Sequence, residues 1–331
     1  MAMSEQRISV NKPEMKSQKP KIKLISNLKF REIGTFIGLI IICAIFSILK
    51  PNFLSPNNLM EIVLSSSINA IVAVGMTLII MMAGIDLSVG SVAALASVVT
   101  AQLMANGTPV LVAILIGLCL GALCGAVNGI FSTVFGLQPF IVTLGTMSLI
   151  RGFALLYTNG QPVLTVPGNF KSFFAGQLGP IPMPIIVVLI IGIIALVIVK
   201  YTKLGEYIIA IGGNEDAARY AGISVNKYKI ATYMISGILA ALAGLILVAR
   251  LGAGDPTSGS GWELTAIAAS AIGGASLMGG SGSIIGTILG AIILGSLQDG
   301  LTLLNVQAYY QVAATGAIII LAMLIDRYTK K

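Results

Sequence analysis

The feature that most constrains this chain is the recurrence of long windows with almost no charge, such as the uncharged run from Ile181 to Val199. A bilayer core is crossed by about 20 apolar residues in a helix, and inside it every backbone N–H and C=O must be bonded within the segment. Several such windows, with a mean hydropathy of +0.96, make an all-α polytopic membrane protein and set soluble enzymes aside. The 38 glycines fit helices that approach closely through small residues, as at the four-residue spacing of Gly117, Gly121 and Gly125. There is no histidine, which removes imidazole proton relays and most transition-metal sites. Cys43, Cys119 and Cys124 lie inside apolar windows and read as small hydrophobes. No cofactor and no metal are expected.

Hydropathy and breaker residues give about ten spans, near 33–49, 62–82, 87–105, 109–131, 139–157, 183–200, 230–250, 263–278, 284–299 and 308–325. They form a single transmembrane domain over 33–326, between a basic tail (1–32) read as disordered and a short end (327–331). Charge orients them. Eight of the 20 Lys and Arg residues lie in 1–32, five in 200–229 and three after residue 325. Ten spans with both ends in the cytoplasm put all three groups on the inner side, as the positive-inside rule requires. No short apolar stretch with a small-residue cleavage site precedes the first span, so a cleaved signal is not expected.

The largest inner loop, about 201–229, contains IGGNEDAARYAGI (211–223). Asn214 has cap chemistry, Glu215 and Asp216 suit a first turn, and Gly222 suits a helix end. Two readings stand for this short helix with its paired alanines, Ala217 and Ala218. It is a solvated linker, or a surface that inserts into a partner's cleft.

The same residues resemble the coupling loop of ABC importer permeases, with Asp216 inserted between the usual glutamate and alanines. Together with AGIDLSVGSV (83–92), RGFALLYTNGQPV (151–163) and the glycine-rich 249–295, the pattern closely resembles the permease subunit of bacterial ribose-type sugar importers. It covers about 53–326. Permeases for xylose, galactose, arabinose, allose and autoinducer-2 share much of it. The resemblance implies a type II-like permease fold in the bacterial inner membrane and a second permease subunit, most simply a homodimer. It also implies two cytoplasmic ATPase subunits docking on Gly213, Asn214, Glu215, Ala217, Ala218, Arg219 and Gly222. An extracytoplasmic sugar-binding protein would complete the importer. No G-x-x-x-x-G-K-[ST] loop occurs, and the glycine run 273–282 has no lysine, so the chain itself is not expected to hydrolyse ATP.

Among polar residues inside the windows, Asp86 stands out, because a carboxylate at the centre of a bilayer costs about 2.5–3.5 kcal/mol on insertion scales. It reads either as a structural cap on the next helix or as part of a gate. Asn69 and Asn128 are further candidates for the pathway, as are Gln298 and Asp299, since sugar hydroxyls are met by amides and hydroxyls. Ser260-Gly261-Trp262-Glu263 reads as a capping box with Trp262 at the outer interface. The outer loops 157–163 and 252–261, with Asn159 and Asp255, are candidate contacts for the binding protein; Asp255 serves there as a fixed charge or as a turn former before Pro256. An ion-coupled secondary transporter is the alternative of another class. It would require paired ionisable groups at mid-depth, whereas most carboxylates here fall near span ends.

Overall fold

The structure, a computed structural model, describes residues 21–307, 309–317 and 320. In chain order the helices are α1 (Lys21–Leu49), α2 (Pro56–Met81), α3 (Val89–Ala105), α4 (Val110–Thr133), α5 (Pro139–Thr158) and α6 (Gly168–Ala175). They continue as α7 (Met183–Tyr201), α8 (Lys203–Gly213), α9 (Glu215–Tyr220), α10 (Val225–Leu251), α11 (Trp262–Ile272) and α12 (Ile284–Leu303). A two-residue antiparallel hairpin, β1 (Gln177–Leu178) and β2 (Ile181–Pro182), precedes α7.

Seven of these helices, α1, α2, α4, α5, α7, α10 and α12, are long and apolar enough to cross a bilayer. The expected spans at 87–105 and 263–278 appear as shorter apolar helices of 17 and 11 residues. The second stops early: Gly273 and Gly274 end α11, and an irregular segment runs on to α12. At 1.5 Å per residue α11 is about 16 Å long, half of a ~30 Å hydrocarbon core. Most of the expected tenth span, 308–325, lies outside the described residues. So does most of the basic tail, although α1 already begins at Lys21, ahead of the apolar stretch that starts at Glu32.

Burial sorts the helices into a centre and a sheath. The apolar window of α2 is 78% buried, whereas those of α4, α5 and α7 are each 22% buried. Leu123, Leu149, Leu156, Leu189 and Ile193 point outward, as hydrocarbon-facing side chains should. The most extensive helix pair is α4 on α10. Its closeness comes from the glycine row seen in the sequence: a Cβ on Gly121 would strike the Gly237 carbonyl, and one on Gly125 the Tyr233 carbonyl. With lipid as apolar as leucine, such backbone-to-backbone packing is what draws the helices together.

Candidate functional site

Four places in this frame carry polar chemistry. The first is the loop between α7 and α10. Helix α9 forms as its caps dictate: the Asn214 side chain accepts the Ala217 amide at 2.9 Å, and Gly222 takes the left-handed conformation at φ +82°. The Ile223 amide then donates to the Ala218 carbonyl at 3.0 Å, closing the C-terminal turn. Glu215 pairs with Arg219 at 2.9 Å and with Lys229. The two alanines differ in burial. Ala218 is buried with Ile211 and Val225, and Tyr207, Ile223 and Tyr228 pack around them. Gly213, Asn214, Ala217, Arg219 and Gly222 are exposed, and so is Tyr220, an aromatic ring at 92% exposure that sequence reasoning passed over. Helix α8 was also not anticipated; it buries Gly205, Ile208, Ile211 and Gly212 and so ties the loop to the bundle.

Partial burial pushes the Glu215 carboxyl up, but the Lys229 ammonium and the Arg219 guanidinium outweigh it and hold it below its ordinary value of 4.5. A depressed folded-state value means stability that is present above the unfolded value and lost as the pH falls through the folded one. Both pairs are partly exposed, so together they contribute only about 0.5–1.5 kcal/mol after screening. Glu215→Gln is therefore expected to reduce hydrogen-exchange protection of the α9 amides a few-fold at pH 7. Variant and parent should converge as the pH drops well below 4.5, once intrinsic exchange is corrected for.

The second place is a buried cluster beside the start of α3. Asp86 Oδ1 accepts the Ser88 amide at 2.8 Å and the Ser88 hydroxyl at 2.7 Å. Asn128 on α4 donates to Ser88 Oγ at 2.8 Å and reaches Asp86 at 3.5 Å. Thr146 on α5 donates to Asn128 Oδ1 at 2.7 Å. Two residues singled out separately in the sequence, Asp86 and Asn128, are thus brought into one network, which ties the 82–88 turn to α4 and α5.

The third is a cleft of about 450 Å³ among α2, α11, α12 and the helical stretch 309–317. Asn69, Trp262, Thr265 and Gln298 line it; Asp86 and Asn128 do not. Asn69 lies at the middle of α2, about 20 Å from either end. Trp262, expected at the outer interface, lines this cleft together with Asn69. The expected capping box does not form: Gly261 occupies the cap position, and the Ser260 hydroxyl donates to the Thr257 carbonyl at 2.9 Å. The physical reason lies in the segment before it. Gly254 packs on Ser97 and Ala101, and Gly259 on Gly90, so the chain runs back along α3 instead of staying at the rim. Arg151 on α5 pins this inward run, donating to the carbonyls of Pro256 at 2.6 Å and Ser258 at 2.7 Å. A lone arginine within an apolar span was the signal that could have found it, because such a charge must have partners.

The fourth is the pair of predicted outer loops. They meet in a β-bridge between Val163 and Gly254. Asn159 is exposed in a left-handed conformation that ends α5. Asp255 turns inward on its own loop, accepting the amide and the hydroxyl of Thr257, each at 2.7 Å.

At the other end of the bundle, three segments join through their backbones. The Gly280 amide donates to the Met81 carbonyl at 2.9 Å, Gly212 of α8 lies directly against both, and Gly279 sits against Ala83. The segments leading to α9, to the Asp86 cluster and from α11 to α12 are therefore in direct contact.

Comparison with known proteins extends over the same frame. The family model described as branched-chain amino acid transport system / permease component matches residues 58–323. The ribose import permease protein of Haemophilus influenzae is 45% identical over 91% of this chain and 95% of its own length. Its counterpart in Escherichia coli K12 is 47% identical over 89% and 93%. The D-allose transport system permease protein of the same strain is 42% identical over 90% and 92%. With its apolar helices, its short glycine-ended α11 and a family match across most of its length, this chain belongs to the branched-chain amino acid transport system / permease component family of membrane transport proteins.

Proposed function

We propose that this chain is the membrane permease subunit of an ATP-driven, binding-protein-dependent importer for ribose. It acts in the bacterial cytoplasmic membrane with ten spans and both termini inside. It performs no catalysis itself. Two copies pair to form the path, two ATPase subunits dock on the exposed face of α9, and a sugar-binding protein delivers ligand at the loops that carry Asn159 and Asp255. The observation that carries this reading is the pairing, in one chain, of a cleft lined among the described residues by uncharged polar side chains with an exposed, capped helix on the loop between α7 and α10. Ribose as cargo is supported by the likeness to ribose import permeases, which exceeds that to the allose permease. Asn69 stands on the path, and the Asp86–Asn128 network serves as a gate support that fixes the turn before α3.

The test is reconstitution of the permease with its ATPase and binding protein in vesicles, against a panel of pentoses and hexoses. Ribose is expected to stimulate ATP hydrolysis and to accumulate inside, ahead of allose, xylose and arabinose. Stimulation by another sugar, with ribose inert, reassigns the cargo. No stimulation by any sugar overturns the reading.

A further inference from the structure

The cleft among α2, α11 and α12 holds the one tryptophan of the chain. We propose that this cleft is a low-affinity sugar subsite, with the Trp262 ring against the C–H face of the sugar and the Asn69 and Gln298 carboxamides on its hydroxyls. The proposal rests on the reading of the chain as a sugar importer and specifies where within the permease the free sugar pauses.

The lining defines the chemical class. Among the described residues, every polar side chain lining the cleft, namely Asn69, Ser260, Thr265, Gln298, Gln311 and Thr315, is uncharged. A zwitterionic amino acid or a phosphorylated sugar brings charges that nothing here neutralises, and a buried unpaired charge is far costlier than a buried hydroxyl. A neutral polyol fits. The volume, about 450 Å³, falls within the range of roughly 300–1,000 Å³ usual for small-molecule sites.

The polar groups are not equally available. Gln311 already donates to Thr302 Oγ1 and the Val306 carbonyl, and the Ser260 and Thr315 hydroxyls donate to backbone carbonyls. Among the described residues the carboxamides of Asn69 and Gln298 have no partner. Asn69 is half-buried and Gln298 exposed, so both carboxamides are open to the cleft and free to meet a ligand that both donates and accepts. A carboxamide offers two donors and an acceptor, and a sugar hydroxyl offers one donor and two lone pairs, so each amide can engage neighbouring hydroxyls. The electron-rich ring face of Trp262 suits the weakly positive C–H edge of a pyranose or furanose. Two amides and one ring make a weak site. Weakness suits a path, where binding must permit entry without preventing exit.

Because Trp262 is the sole tryptophan, tryptophan emission of the purified permease reports this cleft alone. Permease in lipid nanodiscs is titrated with D-ribose, with glycine betaine at equal osmolarity as the control. A saturable change in emission is expected for ribose only, with a midpoint on the order of 10 mM (about −2.7 kcal/mol). Asn69→Ala and Gln298→Ala should each move it at least 5-fold higher while copurification of the ATPase is unchanged. A linear response identical to that of betaine overturns the subsite, as does a saturable one that neither substitution shifts. A response that follows permease concentration rather than ribose also overturns it, since the cleft is then covered by a second copy. Failure here together with ribose transport by the complete importer refutes the subsite alone; failure of transport with every sugar refutes the importer reading.

Discussion

Permease carrying Ala217→Arg is expected to fold and insert, yet to lose its ATPase partner on purification and to lose transport. The choice of residue comes from the difference in burial along α9. Ala218 is 5% exposed and seated against Ile211 and Val225, so a large side chain there breaks the loop itself and says nothing about docking. Ala217 is exposed, one turn from the exposed ring of Tyr220, and its replacement leaves the Asn214 cap and the Glu215 pairs in place. A small side chain at an exposed position of α9 admits close approach by a partner, and an arginine there forces a charge into the contact unpaired. Interface disruptions of this kind cost about 2–4 kcal/mol, a loss of roughly 30- to 1,000-fold in affinity. Ala217→Ser, which keeps the size, should behave as the parent does. Full copurification and transport by Ala217→Arg would show that α9 is only a linker.

The sequence was legible where local chemistry decides the outcome. Asn214 and Gly222 bound α9 because a cap and a left-handed residue act within one turn, and the glycine row of α4 announced close packing before its partner α10 was known. It was not legible where a long-range contact decides. Trp262 before an apolar run has the pattern of an interfacial anchor, and only the packing of Gly254 and Gly259 along α3 shows how it comes to line the cleft. Asp86 and Asn128 each stood out as polar residues in apolar windows, but nothing local says that α4 brings one to the other. The break after Ile272 was half-visible. Its glycines were noted, yet hydropathy continues through Leu277 and Met278, and hydropathy alone does not show where a helix stops. The deeper reason is common to these cases. In an interior this rich in glycine the close approaches are made by absent side chains, and a missing side chain does not name its neighbour.

The second large effect is expected from a single methyl group at Gly212. Glycine inside a helix is normally a weakness, and replacing it with alanine stabilises the helix by about 0.5–1 kcal/mol. Gly212 lies in α8 with no left-handed backbone to protect, so propensity alone forecasts a gain. Its surroundings forecast the opposite. A Cβ there would occupy the place of the Met81 carbonyl oxygen, the acceptor of the Gly280 amide. One methyl therefore parts α8 from both the turn that leads to Asp86 and the segment that joins α11 to α12. Helix α9 keeps its caps and its exposed face, so the ATPase should still copurify. What should fail is the passage of its stroke to the cleft. Overpacking costs about 1–3 kcal/mol, and a coupling energy of that size is roughly 5- to 150-fold in response. Gly145→Ala supplies the control, since that helical glycine of α5 lies outside the docking loop, a Cβ on it meets nothing within 4 Å, and it should leave hydrolysis and transport near those of the parent. If Gly212→Ala and Gly145→Ala give the same stimulated hydrolysis and the same transport, the three-segment junction transmits nothing. Coupling would then have to run through the side-chain packing of α8 and α10 instead.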